Sequence, residues 1–241
     1  MVVVGATNVG KHRTNNEDSY FIDENKNFFI LADGMGGHLA GETASQMATQ
    51  IISDNLYKFK ENPPKSDIIE EIRKSIIDAN LEIFNKSKDF EEYRGMGTTL
   101  TFAYINNGHV IYANIGDSRL YKIDIEKKEI KQITKDDSYV NYLIEIGEIT
   151  EDEAKIHPKK NVLTKALGTS PKIDFSIDEM NLEKGEILLL CSDGLTNMVD
   201  NKDILRIVKE KEPHKAHEEL INEALKNGGI DNVTLILIYN E

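Results

Sequence analysis

The sequence predicts an α+β fold: a four-layer α-β-β-α sandwich in which two mostly antiparallel sheets pack on each other and helices flank them. Two observations carry this expectation. Strand-like and helix-like stretches come in separate groups, whereas a doubly wound parallel sheet would alternate them one for one. The middle of the chain also sets three β-rich runs in succession with only turn-length separators between them.

Residues 1–7, 18–23 and 28–32 are short β-rich runs, and Asn25 to Asn27 supplies a hairpin turn between the last two. The apolar period then changes. From residue 41 to about 59, Ala44, Met47, Ala48, Ile51, Ile52 and Leu56 recur at helical spacing. Beyond Pro63-Pro64, Ile68, Ile69, Ile72, Ile76, Ala79 and Ile83 repeat the pattern as a second amphipathic helix. Residues 98–105, 110–115 and 119–125 return to strand, joined through Asn106-Asn107-Gly108 and Gly116-Asp117-Ser118, which suits an antiparallel meander.

Residues 136–169 are polar and irregular apart from a Thr150/Glu153 capping box, and read as a surface excursion over the sheet. Strands at 173–180 and 186–191, helices at 200–209 and 213–227, and an apolar, β-prone final strand at 233–239 complete the chain. With no internal repeat, low-complexity tract or linker, residues 1–241 are expected to form a single domain.

An apolar content of 39 % allows a substantial core. Twenty-nine basic against 42 acidic residues leave a net charge of −13, which repels phosphate backbones and anionic lipid heads. Nucleic-acid and membrane-surface binding are therefore not expected. No apolar run approaches the ~18 residues of a membrane span, and the first residues lack a signal-peptide pattern, so a cytoplasmic location is expected. The lone cysteine, Cys191, excludes an internal disulfide and a multi-thiolate zinc site. A cysteine-dependent phosphatase would need arginine at position 197, where asparagine stands.

The informative residues are acids at strand ends. Asp33-Gly34 follows one apolar run, Asp193-Gly194 follows another, and Asp231 precedes the last strand. Asp117 and the pair Glu17-Asp18 are placed alike. Asp-Gly is a common turn dipeptide, and each occurrence alone reads as structural. If the ends converge, however, mutual repulsion demands a cation, and hard oxygen ligands select magnesium or manganese. A glycine after the acid lets a backbone carbonyl approach the ion as well. Arg13, in a chain that prefers lysine, precedes Glu17-Asp18 closely enough to share the site; beside a metal centre its guanidinium would clamp phosphate, and otherwise it pairs with neighbouring acids.

A nucleotide hydrolase is a competing reading, because residues 5–11 match most of a phosphate-binding loop. His12 replaces the Ser or Thr that would hold magnesium, and residues 13–18 do not read as the helix that such a loop must open.

Seven segments in order resemble the metal-dependent protein phosphatase 2C family in its bacterial form: residues 13–19 (RTNNEDS), 31–38 (LADGMGGH), 95–99 (GMGTT), 114–121 (NIGDSRLY), 163–169 (LTKALGT), 188–195 (LLLCSDGL) and 231–234 (DNVT). The resemblance implies hydrolysis of phosphoserine and phosphothreonine in proteins, by a metal-bridged hydroxide attacking phosphorus in line, with Mn2+ or Mg2+ as two core ions and a third. It places that centre at one end of the sandwich. It implies that Asp33 bridges the two core ions, that the Gly34 carbonyl binds one of them, and that Asp193 and Asp231 hold the other. Glu17 and Asp18 would act through bound water, Asp117 would help hold the third ion, and Arg13 would stabilise the phosphoryl oxygens.

By the same resemblance, residues 136–169 correspond to a flap that borders the metal site and gates substrate access. The expected partners are phosphorylated proteins and the bacterial serine/threonine kinase that modifies them, and a monomer is expected. Met35 departs from eukaryotic relatives, which place a histidine directly after the Asp-Gly; His38, or a metal-bound water, is the replacement candidate for protonating the leaving alcohol. His12, His109, His214 and His217 match no role and are expected in solvent. A catalytically weak relative that only binds phosphoproteins is the alternative, against which stand the retained Asp33, Asp193, Asp231 and Arg13.

Overall fold

A strand whose residues are apolar on both faces must be covered on both sides, and three strands of this chain meet that description. A computed structural model describes residues 1–25, 27–36, 39–58 and 64–241. In chain order these form β1 (Val2–Asn8), β2 (Asp18–Asp23), β3 (Phe28–Met35), α1 (Leu39–Tyr57), α2 (Lys65–Asp89), β4 (Gly97–Thr98), β5 (Leu100–Asn106), β6 (His109–Ile115), β7 (Arg119–Asp124) and β8 (Glu129–Gln132). There follow α3 (Tyr139–Glu145), α4 (Glu151–Ile156), β9 (Ile177–Asn181), β10 (Glu186–Cys191), α5 (Asp193–Thr196), α6 (Asn201–Glu210), α7 (Pro213–Lys226) and β11 (Val233–Tyr239).

The strands form two antiparallel sheets. One has the order β1-β11-β10-β7-β8, and the other β2-β3-β5-β6-β9 with β4 paired to the end of β3. Side-chain alternation along the apolar strands divides them between two environments. Phe29 and Leu31 of β3, Leu188 and Leu190 of β10, and Ile236 and Ile238 of β11 meet between the sheets. Their neighbours turn outward: Phe28, Ile30 and Ala32 pack under α1 and α2, while Leu189, Leu235 and Leu237 pack under α6 and α7. This is the α-β-β-α layering expected from the sequence.

Local chemistry explains most boundaries. Asn107 (φ 50°) and Gly108 (φ 75°) supply the paired positive φ angles that a tight β5–β6 hairpin needs. Asp200 caps α6, its side chain accepting the Asp203 N–H at 2.9 Å, so the helix starts one residue later than its periodicity suggests. The Thr150/Glu153 capping box is present and opens α4.

The structure departs from expectation in several places, among them the added helix α5 and the break at Thr99 that divides the strand expected over 98–105 into β4 and β5. The 136–169 excursion contains two short helices, α3 and α4. Strand β8 has no counterpart among the expected elements; it is a four-residue edge strand whose Ile130 packs against the core beneath α6 and α7. The strand expected over 173–180 begins only at Ile177, because Ile173 and Phe175 pack by their side chains against the core under α1 and α2, with the Arg73 guanidinium 5.4 Å from the Phe175 ring centre. Asp33-Gly34 lies inside β3 rather than in a turn after it, since β4 pairs with Gly34 and Met35 and prolongs the strand. Residue 59, the expected end of the first helix, and residue 26 of the hairpin turn lie outside the described residues. Among those described, no helix is long and apolar enough to cross a membrane.

Ile236 lies fully buried between the sheets, so Ile236→Ala should lower stability by about 2–5 kcal/mol. Ile156→Ala, at a side chain 84 % exposed, should stay within about 0.5 kcal/mol. Midpoints of urea denaturation measure both.

Candidate metal centre

One end of the sandwich collects the acids. A cavity of about 480 Å³ opens there, lined by Glu17, Asp33, Gly34, Asp117, Asp193 and Asp231 together with His12, Arg13, Met35, Thr99, Asn161 and Leu163. Ladder pairing does part of the gathering, since Asp18 at the start of β2 stands opposite Asp33 near the end of β3. Asp193 arrives as the first residue of α5, Asp231 just before β11, and Asp117 in the β6–β7 connection.

Each acid is held by its neighbours. The Asp33 N–H donates to Thr99 Oγ1 at 2.9 Å, and the Asp33 carbonyl accepts from the Thr98 hydroxyl at 2.9 Å and the Thr99 N–H at 2.8 Å. Thr99 Oγ1 in turn lies 2.7 Å from Ser118 Oγ, which ties β3 to the Asp117 connection. Asn197 Nδ2 donates to Asp193 Oδ2 at 3.0 Å. Asn232 accepts the Glu17 N–H at 2.8 Å and donates to the carbonyls of Val9 and Asn15, so one amide fixes the approach to β2 from three sides. No side chain fits at Gly34: its Cβ would overlap the Gly41 carbonyl, and one on Gly41 would overlap the Glu17 carboxylate.

Arg13 points into this site. Its NH2 lies 2.8 Å from Asp231 Oδ2, while its side chain remains 47 % exposed. The ion pair therefore joins Arg13 to a candidate metal ligand far away in sequence, rather than to the adjacent Glu17-Asp18.

Burial, and after it the crowding of like charges, raises the pKa values of four of these acids. Burial pushes Asp33 well above the usual range, reinforced by Asp18, Asp193, Asp117 and Asp231. Asp18 and Asp117 are pushed up to about 7, and Asp193 to about 6, again by burial first and by neighbouring acids second. Asp18 Oδ2 accepts from Ser192 Oγ at 2.9 Å, but Oδ1 is buried with no hydrogen-bond partner among the described residues. An all-oxygen set with an orphaned carboxylate oxygen and mutually raised acids fits a hard divalent cation. Among the described residues no three acids are already drawn together as a coordinating cluster; they line the walls of the cavity.

The flanking 136–169 segment is tied to the same end. Asp136 takes a two-pronged bond from Arg119, Nε to Oδ1 at 3.0 Å and NH2 to Oδ2 at 2.7 Å. The Asp137 N–H donates to the Gly116 carbonyl at 2.9 Å, beside Asp117. Arg119 and the supporting Thr99, Ser192 and Asn232 fall within the segments that carry the family resemblance, but no role follows for them from the sequence. His12 is exposed, as expected, and also lines the cavity. His38 lies outside the described residues.

The profile of the family described as protein phosphatase 2C matches residues 7–227. The serine/threonine phosphatase stp of Listeria monocytogenes is 38 % identical over 239 residues, covering 98 % of this chain and 94 % of that protein. The chain belongs to the protein phosphatase 2C family. Among solved members, the S. agalactiae serine/threonine phosphatase superposes with a TM-score of 0.93 at 36 % identity, covering 100 % of this chain and 99 % of that one. The catalytic domain of the serine/threonine protein phosphatase PstP, solved in complex with two manganese ions, gives 0.85 at 31 % identity, with 98 % and 96 % covered. Asp231 falls just beyond the segment matched by the family profile, while the Arg13–Asp231 pair binds it to the matched part.

The raised acids make the metal-free protein pH-sensitive. Their folded pKa values, about 6 to 7 for Asp18, Asp117 and Asp193, exceed the unfolded value near 3.9, so the folded state retains protons that the unfolded state releases. Their stabilising contribution is complete below about pH 4 and is lost as pH rises through 6 to 7. In chelator, the melting temperature should fall by several degrees between pH 5 and pH 8, and added manganese should restore it at pH 8. Asp33→Asn should raise the metal-free value at pH 8 and remove most of the response to manganese. Calorimetry would reject this account if the metal-free melting temperature were flat with pH.

Proposed function

We propose that this protein is a metal-dependent phosphatase of phosphoserine and phosphothreonine in bacterial proteins, acting as a cytoplasmic monomer opposite a serine/threonine kinase. Residues 1–241 form its one catalytic unit, with 136–169 as the flap. The observation that carries the reading is the convergence of five acids from separate segments on one cavity, with Arg13 among its lining residues. The whole-length likeness to a named serine/threonine phosphatase supports it, as does the two-manganese complex of a 31 % identical member.

Asp33, the Gly34 carbonyl, Asp193 and Asp231 would hold two core ions, Glu17 and Asp18 would support them through water, and Asp117 would help hold a third. When bound, Mn2+ or Mg2+ supplies the positive charge that offsets these acids, polarises phosphoryl oxygens and brings the pKa of a water near neutrality. The rest falls to the chain. Arg13, paired with Asp231, offers its planar guanidinium to two phosphoryl oxygens. Thr99 and Ser118 keep the Asp33 and Asp117 segments in register, and Asn197 orients Asp193. Met35 brings no exchangeable proton to the position it occupies, so the leaving alkoxide takes its proton from another group on the cavity wall or from water.

Phosphate release from a phosphothreonine peptide tests the reading. Turnover should require manganese or magnesium, and Asp33→Asn or Asp193→Ala should lower kcat by about 10³-fold or more with the fold retained by circular dichroism. Undiminished turnover in either variant would remove that residue from the site.

Two further variants separate roles. Arg13→Ala should raise KM by about tenfold or more, reflecting a lost charge-assisted phosphate contact. Asp117→Ala should shift the manganese titration to higher concentration while recovering part of the rate at saturation, and an unchanged titration would count against a third ion there.

A further inference from the structure

The floor of the cavity is acidic, but two short stretches that reach its wall are basic. Lys11, His12 and Arg13 are consecutive in sequence, and the last two line the cavity. The 136–169 segment supplies another part of the wall through Asn161 and Leu163. Within it the charge is segregated. Residues 145–153 carry Glu145, Glu148, Glu151, Asp152 and Glu153, whereas residues 155–165 read KIHPKKNVLTK, with four lysines and no acid, in a chain of net charge −13. The lysine-bearing half is the half that lines the cavity.

Two of these lysines are already engaged, Lys155 with Asp152 at 2.8 Å and Lys165 with Asp137 at 3.4 Å. Lys159 and Lys160 are exposed and immediately precede Asn161. The Lys159 ammonium lies 5.1 Å from the centre of the Tyr139 ring, a contact that steadies the side chain without cancelling its charge. Beyond Asn161, Val162 leaves an apolar side chain 47 % exposed on the same stretch.

Resting on the phosphatase reading, we propose that this rim selects phosphoproteins in which acidic residues flank the phosphorylated serine or threonine. Arg13 serves the phosphoryl group itself. Carboxylates on neighbouring substrate residues need partners of their own, and Lys159 and Lys160 on one segment with Lys11 on the other supply them. Lysine or arginine in the same substrate positions meets like charge instead. An exposed ion pair changes an equilibrium by roughly 1.5- to 5-fold, so two or three acting together give a preference of about tenfold at low salt.

The test is kcat/KM with manganese for three phosphothreonine peptides of one length, flanked by Asp/Glu, by Ser, or by Lys. The expected order is acidic, neutral, basic, with an acidic-to-neutral ratio of about tenfold near 25 mM salt that shrinks below about twofold near 0.5 M. Lys160→Glu, which leaves the lysine on Tyr139 in place, should lower the ratio part-way, and Lys159→Gln combined with Lys160→Glu should bring it to about one. Lys202→Glu on α6 makes the same charge change outside the rim and should keep the wild-type ratio. Equal rates on acidic and neutral peptides, or a preference that survives the double substitution, overturns the inference and leaves the phosphatase reading standing. If no phosphopeptide is turned over at any manganese concentration, the phosphatase reading fails and this inference falls with it.

Discussion

Repulsion among carboxylates fixed at one end of a two-sheet sandwich is the constraint on which the structure turns. Asp18 and Asp33 stand opposite each other in a β-ladder, so neither can withdraw without breaking backbone hydrogen bonds. Asp193 and Asp231 are anchored at α5 and before β11, the latter the strand that runs between β1 and β10. A framework with two apolar cores can hold such a cluster because the local cost, of the order of a few kcal/mol, is small beside the burial of whole strands. The raised carboxylate pKa values reflect burial first and this repulsion second, and a bound cation would offset both.

What keeps the cluster ordered is close backbone contact together with a few neutral hydrogen bonds. The Gly34–Gly41–Glu17 contact leaves no room for a Cβ, which brings the start of α1 directly against the end of β3. Asn232 performs the corresponding task between β11 and the segment leading into β2. Arg119 then carries the arrangement outward: one guanidinium spans Tyr121 in β7 and Asp136 at the base of the 136–169 segment. With Asp137 bonded to Gly116, that base is set against the connection that holds Asp117. The base of the segment and the connection that carries Asp117 are therefore held to each other by hydrogen bonds.

Much of this is legible in the sequence. Period-2 and period-3.6 patterns locate nearly all of the strands and the long helices, because burial on one or two faces writes itself into local spacing. The same patterns misplace residues 173–176, where apolar side chains pack on a helix without joining a ladder, and miss β8, too short to show alternation. Acids at strand ends point to the site for a related reason, since strands that share a sheet bring their ends together. The supporting residues lie in segments that the family resemblance covers, but their partners leave no such signal. Ser192 meets Asp18 across 174 positions and Asn232 meets Glu17 across 215, separations over which no local pattern operates. No motif marks His12 either. It reaches the cavity wall because the chain passes tightly over the loop before β11, with Gly10 at φ 80° and the Lys11 N–H bonded to the Gly229 carbonyl at 2.7 Å.

A net charge of −13 argues against anionic partners only if charge is spread evenly, and here it is not. A compact cavity of about 480 Å³ is roughly 8 Å across, comparable to the Debye length at physiological ionic strength. A ligand inside it senses the floor and the rim, while acids on the distant helices are largely screened. The floor, once its carboxylates are offset, no longer opposes a phosphoryl group, and Arg13 is then the cationic side chain among the lining residues. The global acidity retains a separate consequence: it discourages polyanions too large to confine their charge to the cavity, such as nucleic acids, and leaves access to a single phosphoryl group on a protein segment.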